Sequence, residues 1–471
     1  MNAGRREVRA GARFLLFPEY FENIRPEIVA VGLPAGSIGP GPSDPTLYVA
    51  DAADKVNPYD PPRYVPPYAG ALYAPAQPDG GGNFDHIAPE TPEFLAVHLY
   101  GCMRHTLDVW HRYLGRRIVW WHAEEHPQIE LVPVVHWQNA QSGPGFLETG
   151  LWPDEAGVLQ PFALNFDVIA HEAGHTMLFS LLGVPPPERI DVAFLAFHES
   201  FSDLVGLVAV LHFESVIERL LQQTDGNLYV LNLVNRLGET SAHTQLRLAS
   251  NEVTMAEVAD ISLSPDGEWL DPTGRGRNQH AVAEPLTGAI FDVLVELFQD
   301  RLVTDGLIPP DLDARGWSRA EVAQSMALFT REIGGVGRAF HANFVAAIKE
   351  SRDLVGQAMA QVMLTMDADY LTFGRVAACI IEALVQRGKA RLLPALLAHF
   401  LHRGIDPRPY LGLGGPPRAA GRWMPLRRRK PTRWRGRLAD GGCRCCEPGS
   451  FVFARSLMRH AHREVSALAA E

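Results

Sequence analysis

The sequence predicts an α+β protein with its strands in the first half and a mostly helical second half. Segments near residues 117 and 129 are rich in Val, Ile and Trp, whereas apolar residues recur at helical spacing from about Asn165 onward. The chain has 471 residues, more than a single hydrophobic core usually serves, and 46% of them are hydrophobic. We therefore expect two lobes and an extensive core.

The first part of the chain is the least regular. Residues 36–83 are dense in proline and glycine, a composition that favours turns and extended chain over helices. We therefore expect residues 1–85 to be an irregular, strand-containing leader that packs on the core. The next segment, from Thr91 to Leu114, has helical apolar spacing and predicts a helix that Gly115 ends.

Strand-like segments and then helices follow. We predict strands at Arg117–Trp121 and Ile129–Trp137, the second because of its Val and Ile content. From Asn165 onward the pattern is helical with short breaks. The predicted helices span residues 166–182, 189–212, 227–236, 285–301, 318–334, 352–366, 371–388 and 392–402, with a short closing helix near 451–468.

The C-terminal tail differs from the rest of the chain in charge. Residues 401–440 carry eleven Lys and Arg against two Asp, a local +9, while the whole chain has a formal charge of −11. The remainder is therefore near −20, which does not suggest nucleic-acid binding, although the basic tail could contact RNA, acidic lipid or the acidic body. Cys443, Cys445 and Cys446 lack an evident fourth ligand, and we expect them to be functionally silent.

The sequence shows no targeting segment. The apolar patch before Pro18 has only four residues, so it does not predict a signal peptide. The longest near-continuous apolar stretch, Leu204–Phe213, is too short to span a bilayer. Five cysteines are too few for a disulfide framework. We expect a cytoplasmic protein by default, which leaves export by a non-classical route open.

A metal-binding pattern lies in the first long helix of the second half. The segment Asp167–Met177 contains His-Glu-x-x-His, and because His171 and His175 are four residues apart, they share one helical face and can bind a single ion. Glu172 is rotated by about 100° and lies beside the ion. It is placed to take a proton from a metal-bound water, whose pKa zinc lowers to about 7.

The following helix supplies two carboxylates. Glu199 and Asp203 are four residues apart on the same stripe as apolar residues such as Leu207. Buried carboxylates are costly unless they are paired or bound to metal. Glu199 would complete a two-His, one-carboxylate set that leaves the fourth position for water, and Asp203 would accept the outer N–H of His171. The alternative for Glu199 is an ordinary carboxylate on a helix surface.

The HEAGH and ESFSD motifs together resemble those of the thermolysin-like gluzincin metallopeptidases, over roughly residues 90–390. The resemblance implies a β-containing N-terminal lobe, a mostly helical C-terminal lobe and an active-site helix between them. It implies one zinc ion per chain, bound by His171, His175 and Glu199, with Glu172 as a catalytic residue.

Two further segments are similar to that family. Asn139 and Ala140 end a strand-like segment at the place where such enzymes have an edge strand that pairs with an extended substrate. His280 precedes a helix predicted to start near Pro285 and looks like the family's transition-state histidine, which would stabilise an oxyanion. A chance Asn-Ala pair and a solvent-facing loop histidine remain the alternatives.

The sequence thus predicts four regions. They are a leader at residues 1–85, a β-containing lobe at 86–183 that ends in the His-Glu-x-x-His helix, a helical lobe at 184–403 with the third ligand, and a basic, Cys-containing tail at 404–471.

The predicted function is a zinc-dependent metalloendopeptidase that hydrolyses extended polypeptide with a metal-bound water activated by Glu172. The alternatives are a catalytically inactive thermolysin-like binding or scaffold protein and a zinc hydrolase of a non-peptide amide. Glu172 favours an enzyme, because a structural metal site needs no carboxylate beside its ligands. The sequence leaves open a calcium requirement, the physiological substrate and the oligomeric state.

Overall fold

The predicted α+β class is confirmed. The computed structural model describes residues 10–20, 24–154, 157–185, 189–239, 245–263, 269–270, 279–310, 333–412 and 443–444. The strands of the described residues are β1 Gly11–Leu16, β2 Glu27–Pro34, β3 Leu47–Val49, β4 Ile129–Val132, β5 Ala140–Gly143, β6 Phe146–Thr149, β7 Leu151–Pro153, β8 Leu159–Pro161, β9 Arg236–Glu239, β10 Gln245–Leu248, β11 Ser262–Leu263, β12 Trp269–Leu270 and β13 Cys443–Arg444. The α-helices are α1 Phe94–Leu114, α2 Phe166–Leu182, α3 Val192–Val210, α4 Glu214–Thr224, α5 Gln279–Thr304, α6 Gly335–Ala339, α7 His341–Thr365, α8 Phe373–Leu384 and α9 Leu393–His402.

The largest sheet has five strands in the order β13-β5-β6-β4-β3. Strands β3, β4 and β6 are mutually parallel, whereas β5 is antiparallel to β6 and β13 is antiparallel to β5. The remaining strands form two-stranded pairs, β1 with β2, β7 with β8, β9 with β10 and β11 with β12. The last two pairs lie between α4 and α5 in the chain, so the second half is less purely helical than the sequence suggested.

The leader packs on the main sheet through a buried ion pair. Lys55 Nζ lies 2.6 Å from Glu148 Oε2 in β6, and their side chains are 1% and 0% exposed. The same Glu148 carboxylate accepts hydrogen bonds from the main-chain N–H of Tyr59 and from Gln141 Nε2 in β5. Buried ions are tolerated only when they are paired and fully hydrogen-bonded. This network attaches the proline-rich part of the leader to β5 and β6.

Helix α3 lies at the centre of the protein. It packs against α2 and α5, and residues 194–210 are all buried. By length and composition alone it is the one helix of the described chain that could span a membrane, yet 89% of its apolar window is buried inside the protein. An apolar helix with this degree of burial is what a core helix requires.

The predicted helix at 94–114 is confirmed, and Gly115 ends it with a left-handed φ of 65°. The predicted strand Arg117–Trp121 is wrong, because this segment pairs with no strand: the Ile118 N–H bonds to the His111 ring instead. The predicted strand from Ile129 ends at Val132, before Pro133, which has no N–H to donate to a ladder.

The predicted helix 227–236 is also wrong, since these residues form turns that lead into β9. Asparagine side chains replace the helical hydrogen bonds there. Asn232 Oδ1 accepts from the N–H groups of Val234 and Asn235, and Asn227 Oδ1 accepts from that of Tyr229. Such local bonds to the backbone compete with helix formation.

Other helix boundaries differ as well. Helix α4 was not predicted, α5 begins six residues before its predicted start, and α7 begins eleven residues before its predicted start. The predicted helices at 318–334 and 451–468 lie wholly or largely outside the described residues.

Candidate metal centre

Helix α2 presents two imidazoles at one point. Its first turn is capped by Asn165, whose Oδ1 accepts a hydrogen bond from the Val168 N–H at 3.1 Å. Asp167 adds a negative charge in the same turn, where the helix dipole favours it. One turn further along, the Nε2 atoms of His171 and His175 lie 3.0 Å apart. The His-Glu-x-x-His spacing thus does bring the two rings together.

Gly174 allows α3 to approach α2 at this point. A Cβ atom at position 174 would lie 2.8 Å from the Cα atom of Ser202, closer than real Cβ contacts come. Helix α3 begins after Asp191, whose side chain caps it by accepting from the Phe194 N–H at 2.8 Å. The close crossing of the two helices brings Glu199 against the imidazoles of α2.

The spacing of the three side chains fits a metal ion. Glu199 Oε2 lies 3.4 Å from His171 Nε2 and 3.6 Å from His175 Nε2. A tetrahedral zinc ion with bonds of about 2.1 Å holds its ligand atoms about 3.4 Å apart. All three residues are buried. Among the described His, Cys, Asp and Glu residues, these three have ligand atoms close enough together to bind one metal ion.

The charges of this cluster also favour a cation. Burial raises the pKa of Glu199, but the imidazoles of His280 and His175 outweigh burial and hold that pKa well below its usual value. Burial lowers the pKa of His171, yet hydrogen bonds with Asp203 and Glu199 raise it to about 9. Both shifts reflect attraction between carboxylates and imidazoles, which favours the ionised form of each group. A divalent metal ion would supply that charge.

Glu172 lies beside the ligands and is fully buried. Its Oε2 accepts a hydrogen bond from Ser142 Oγ in β5 at 3.0 Å, while its Oε1 has no partner among the described residues. Burial raises the pKa of this carboxyl group to about 7, although the charge of His171 opposes the shift. A buried hydrogen-bond acceptor without a partner is unusual. Here it leaves Oε1 available to accept a hydrogen bond from a proton donor.

Asp203 positions the ring of His171. Its Oδ1 lies 2.8 Å from His171 Nδ1, so Nδ1 donates to the carboxylate and Nε2 faces Glu199, where it would bind a metal ion. Arg247 in β10 holds the other face of the carboxylate, with Nε 2.8 Å from Oδ2 and Nη2 2.5 Å from Oδ1. Burial raises the pKa of Asp203, but the charge of Arg247 and the bond to His171 together hold it well below its usual value.

His280 lies within a helix and not in a loop before one. Helix α5 begins at Gln279, so the predicted start near Pro285 is wrong, and Pro285 is accommodated inside the helix. The His280 side chain is 11% exposed, and its Nδ1 lies 3.0 Å from Glu199 Oε2. Gln279 Nε2 also approaches Glu199, at 3.4 Å from Oε1. Both residues therefore reach the metal cluster, and the solvent-facing alternative for His280 does not hold.

Asn139 and Ala140 lie at the start of β5, and both are fully buried. Asn139 Oδ1 accepts a hydrogen bond from the N–H of Ala140 at 2.8 Å, while its Nδ2 has no partner among the described residues. One side of β5 pairs with β6 and the other with Cys443–Arg444 of β13. A segment of the same chain thus pairs with Gln141 and Ser142, directly after the two residues expected to bind substrate.

Sequence reasoning missed Arg247 and Ser142. Each contacts a residue that the motifs identified, Arg247 through Asp203 and Ser142 through Glu172. No fixed spacing links either residue to the motifs, since Arg247 is 44 residues from Asp203 and Ser142 is 30 from Glu172. A charged residue within the short Gln-Leu-Arg-Leu strand was the available signal for Arg247.

Comparisons with known proteins give little further information. No protein-family model matches the chain, and no curated protein matches it. The solved structures that match include the precursor of protealysin, a metalloproteinase from Serratia proteamaculans, at 14% sequence identity and a TM-score of 0.39. That match covers 80% of this chain and 90% of the other. At this TM-score the similarity carries no argument, so the proposal below rests on the site itself.

Proposed function

We propose that the protein is a zinc metallopeptidase with His171, His175 and Glu199 as the metal ligands. The observation that carries the proposal is the spacing of the three ligand atoms, 3.0 to 3.6 Å between neighbours in a fully buried cluster. Two imidazoles and one carboxylate are a ligand set typical of catalytic zinc, which keeps a position for water.

Zinc in such a site supplies a Lewis acid and lowers the pKa of bound water. The chain's own residues would do the rest. Glu172, whose Oε1 has no hydrogen-bond partner among the described residues, would accept the proton of the attacking water and deliver it to the leaving amine. Ser142 would hold the other oxygen of that carboxylate in place. Asp203, fixed by Arg247, would keep His171 in the tautomer that leaves Nε2 available.

Substrate would bind on two sides of the cluster. His280 would donate a hydrogen bond to the oxyanion that develops on the scissile carbonyl, which is worth a large rate factor in a buried site. Asn139 and Ala140 would bind the main chain of an extended polypeptide. This role is supported by Asn139 Nδ2, which has no hydrogen-bond partner in the described part of the chain.

The proposal extends to the arrangement of the chain. We assign residues 86–183 to a β-containing lobe and 184–403 to a helical lobe in a thermolysin-like architecture, with residues 1–85 packed on the first lobe and 404–471 as a basic tail. Contacts of α2 with both α3 and β5 support an active-site helix between the two parts.

The test combines metal analysis with hydrolysis by the full chain. We expect about one zinc per chain and cleavage of casein or a fluorogenic peptide that a chelator abolishes. Glu172→Gln is the matched control, because it keeps the side-chain volume and the metal ligands but removes the proton acceptor; it should retain zinc and lose hydrolysis. Zinc binding without hydrolysis by the natural chain would instead indicate a binding protein. Cleavage of non-peptide amides alone would redirect the substrate assignment.

A further inference from the structure

The outer edge of β5 is occupied by the C-terminal tail. Strand β13 runs antiparallel to β5, with Cys443 opposite Ser142 and Arg444 opposite Gln141. Residues 413–442 separate β13 from the preceding described segment. A chain of that length can extend over about 100 Å, so a short connection does not force the tail to this edge. The open edge of β5 offers main-chain groups with which Cys443–Arg444 pairs.

This edge adjoins the candidate catalytic residue. Ser142, directly opposite Cys443, donates a hydrogen bond to the carboxylate of Glu172 and lies 3.0 Å from its main-chain oxygen as well. Ala140 begins the same strand, and Asn139 directly precedes it. A polypeptide added to β5 therefore runs past the side of α2 that carries Glu172. Because the other side of β5 is paired with β6, an extended substrate and the tail require the same hydrogen-bonding groups.

We propose that the Cys443–Arg444 segment competes with extended substrate for the outer edge of β5. This inference rests on the proposed peptidase function. Strand addition recognises main-chain groups more than side chains, so the tail can bind an edge that also accepts varied substrates. Residues 401–440 carry a local charge of +9 and the remainder of the chain is acidic, and this opposite charge favours binding of the neighbouring Cys443–Arg444 segment to the body.

The competition predicts a measurable change in KM. A tail that occupies the edge about nine-tenths of the time reduces the apparent affinity for substrate roughly tenfold, since substrate binds only the open fraction. The full-length double variant Cys443→Pro/Arg444→Pro removes both main-chain donors of β13 without altering the body of the protein. The matched control is Cys443→Ala/Arg444→Ala, which changes the same side chains but keeps both N–H groups.

Two measurements are made on the natural chain and both variants: peptide hydrolysis and hydrogen exchange of the segment that contains β5. The proposal expects the proline variant to have a KM lower by roughly tenfold with unchanged kcat. It also expects faster exchange at Ser142, whose N–H faces β13 because those of Gln141 and Gly143 face β6, while the alanine variant behaves like the natural chain. Equal KM values in the two variants of an active enzyme would overturn the competition, whatever the exchange shows.

The peptidase function and the pairing of β13 with β5 are tested separately. If no form of the chain cleaves peptide although zinc is bound, the proposed function is wrong and exchange alone decides the pairing. Faster exchange in the proline variant would then support the pairing of β13 with β5. Equal exchange in the proline and alanine variants would show that β13 does not hold this edge.

Discussion

The contact between α2 and α3 at Gly174 offers the sharpest test of how the metal centre is built. In Gly174→Ala the new Cβ would lie 2.8 Å from Ser202 Cα, a main-chain atom that cannot move aside alone. A matched control lies in the same interface. In Gly206→Ala the new Cβ would meet Ala170 Cβ and the Asp167 carbonyl oxygen at 3.6 Å each, an ordinary contact distance.

The expected magnitude follows from these two distances. Restoring 3.6 Å at position 174 requires a local separation of the helices by about 0.8 Å, the difference between the two contacts. Overpacking of this kind costs about 1–3 kcal/mol. Both variants share the gain of about 1 kcal/mol from replacing helical glycine by alanine. The free energy of unfolding should therefore be lower in Gly174→Ala than in Gly206→Ala by about 1–3 kcal/mol.

Metal affinity should follow the same contact. Glu199 is carried by α3 and the two imidazoles by α2, so separating the helices lengthens the distances that an ion must bridge. Metal–ligand distances in zinc sites vary by only about 0.2 Å. We therefore expect zinc affinity to fall about tenfold or more in Gly174→Ala and to stay unchanged in Gly206→Ala. Urea unfolding of the metal-free proteins and zinc competition with a chelator measure the two effects. Equal stability and equal zinc affinity in the two variants would refute the role assigned to Gly174.

Two further predictions concern residues around the ligands. Replacing His280 by Ala should lower kcat by roughly 100-fold while zinc content and melting temperature stay unchanged, and a normal kcat would remove His280 from the proposed site. Replacing Arg247 by Met should weaken zinc binding by about 10- to 100-fold, because Asp203 loses the charge that keeps it ionised and in place. Arg247→Lys should recover only part of this, since an ammonium cannot reproduce the paired contact; zinc affinities equal to that of the natural chain in both variants would contradict the argument.

Much of the metal centre could be predicted because its information is local. The apolar period from Asn165 predicts α2 with the bounds that the structure has, Phe166–Leu182. Within that helix the four-residue spacing places His171 and His175 on one face regardless of the rest of the protein. Helix α3 was predicted within three residues at either end, and its inward stripe already contained Glu199 and Asp203.

Predictions failed where the backbone is decided by contacts that carry no period. The segment 227–236 has apolar residues enough for a helix, but Asn227, Asn232 and Asn235 bond to nearby main-chain groups and hold it in turns. Arg117–Trp121 has the composition of a strand but pairs with none of the described strands, and the main-chain N–H of Ile118 bonds instead to the ring of His111.

The sequence by itself determined which residues can bind a metal ion, because helical geometry converts a spacing of four residues into a shared face. Only the tertiary structure decided which residues hydrogen-bond to them or to Glu172 and which segment pairs with the neighbouring sheet edge. Arg247 reaches Asp203 from a hairpin, Ser142 reaches Glu172 from a sheet edge, and Cys443–Arg444 lies on that edge from the far end of the chain. Contacts between residues so distant in the chain depend on how the elements pack, which no local pattern of residues records.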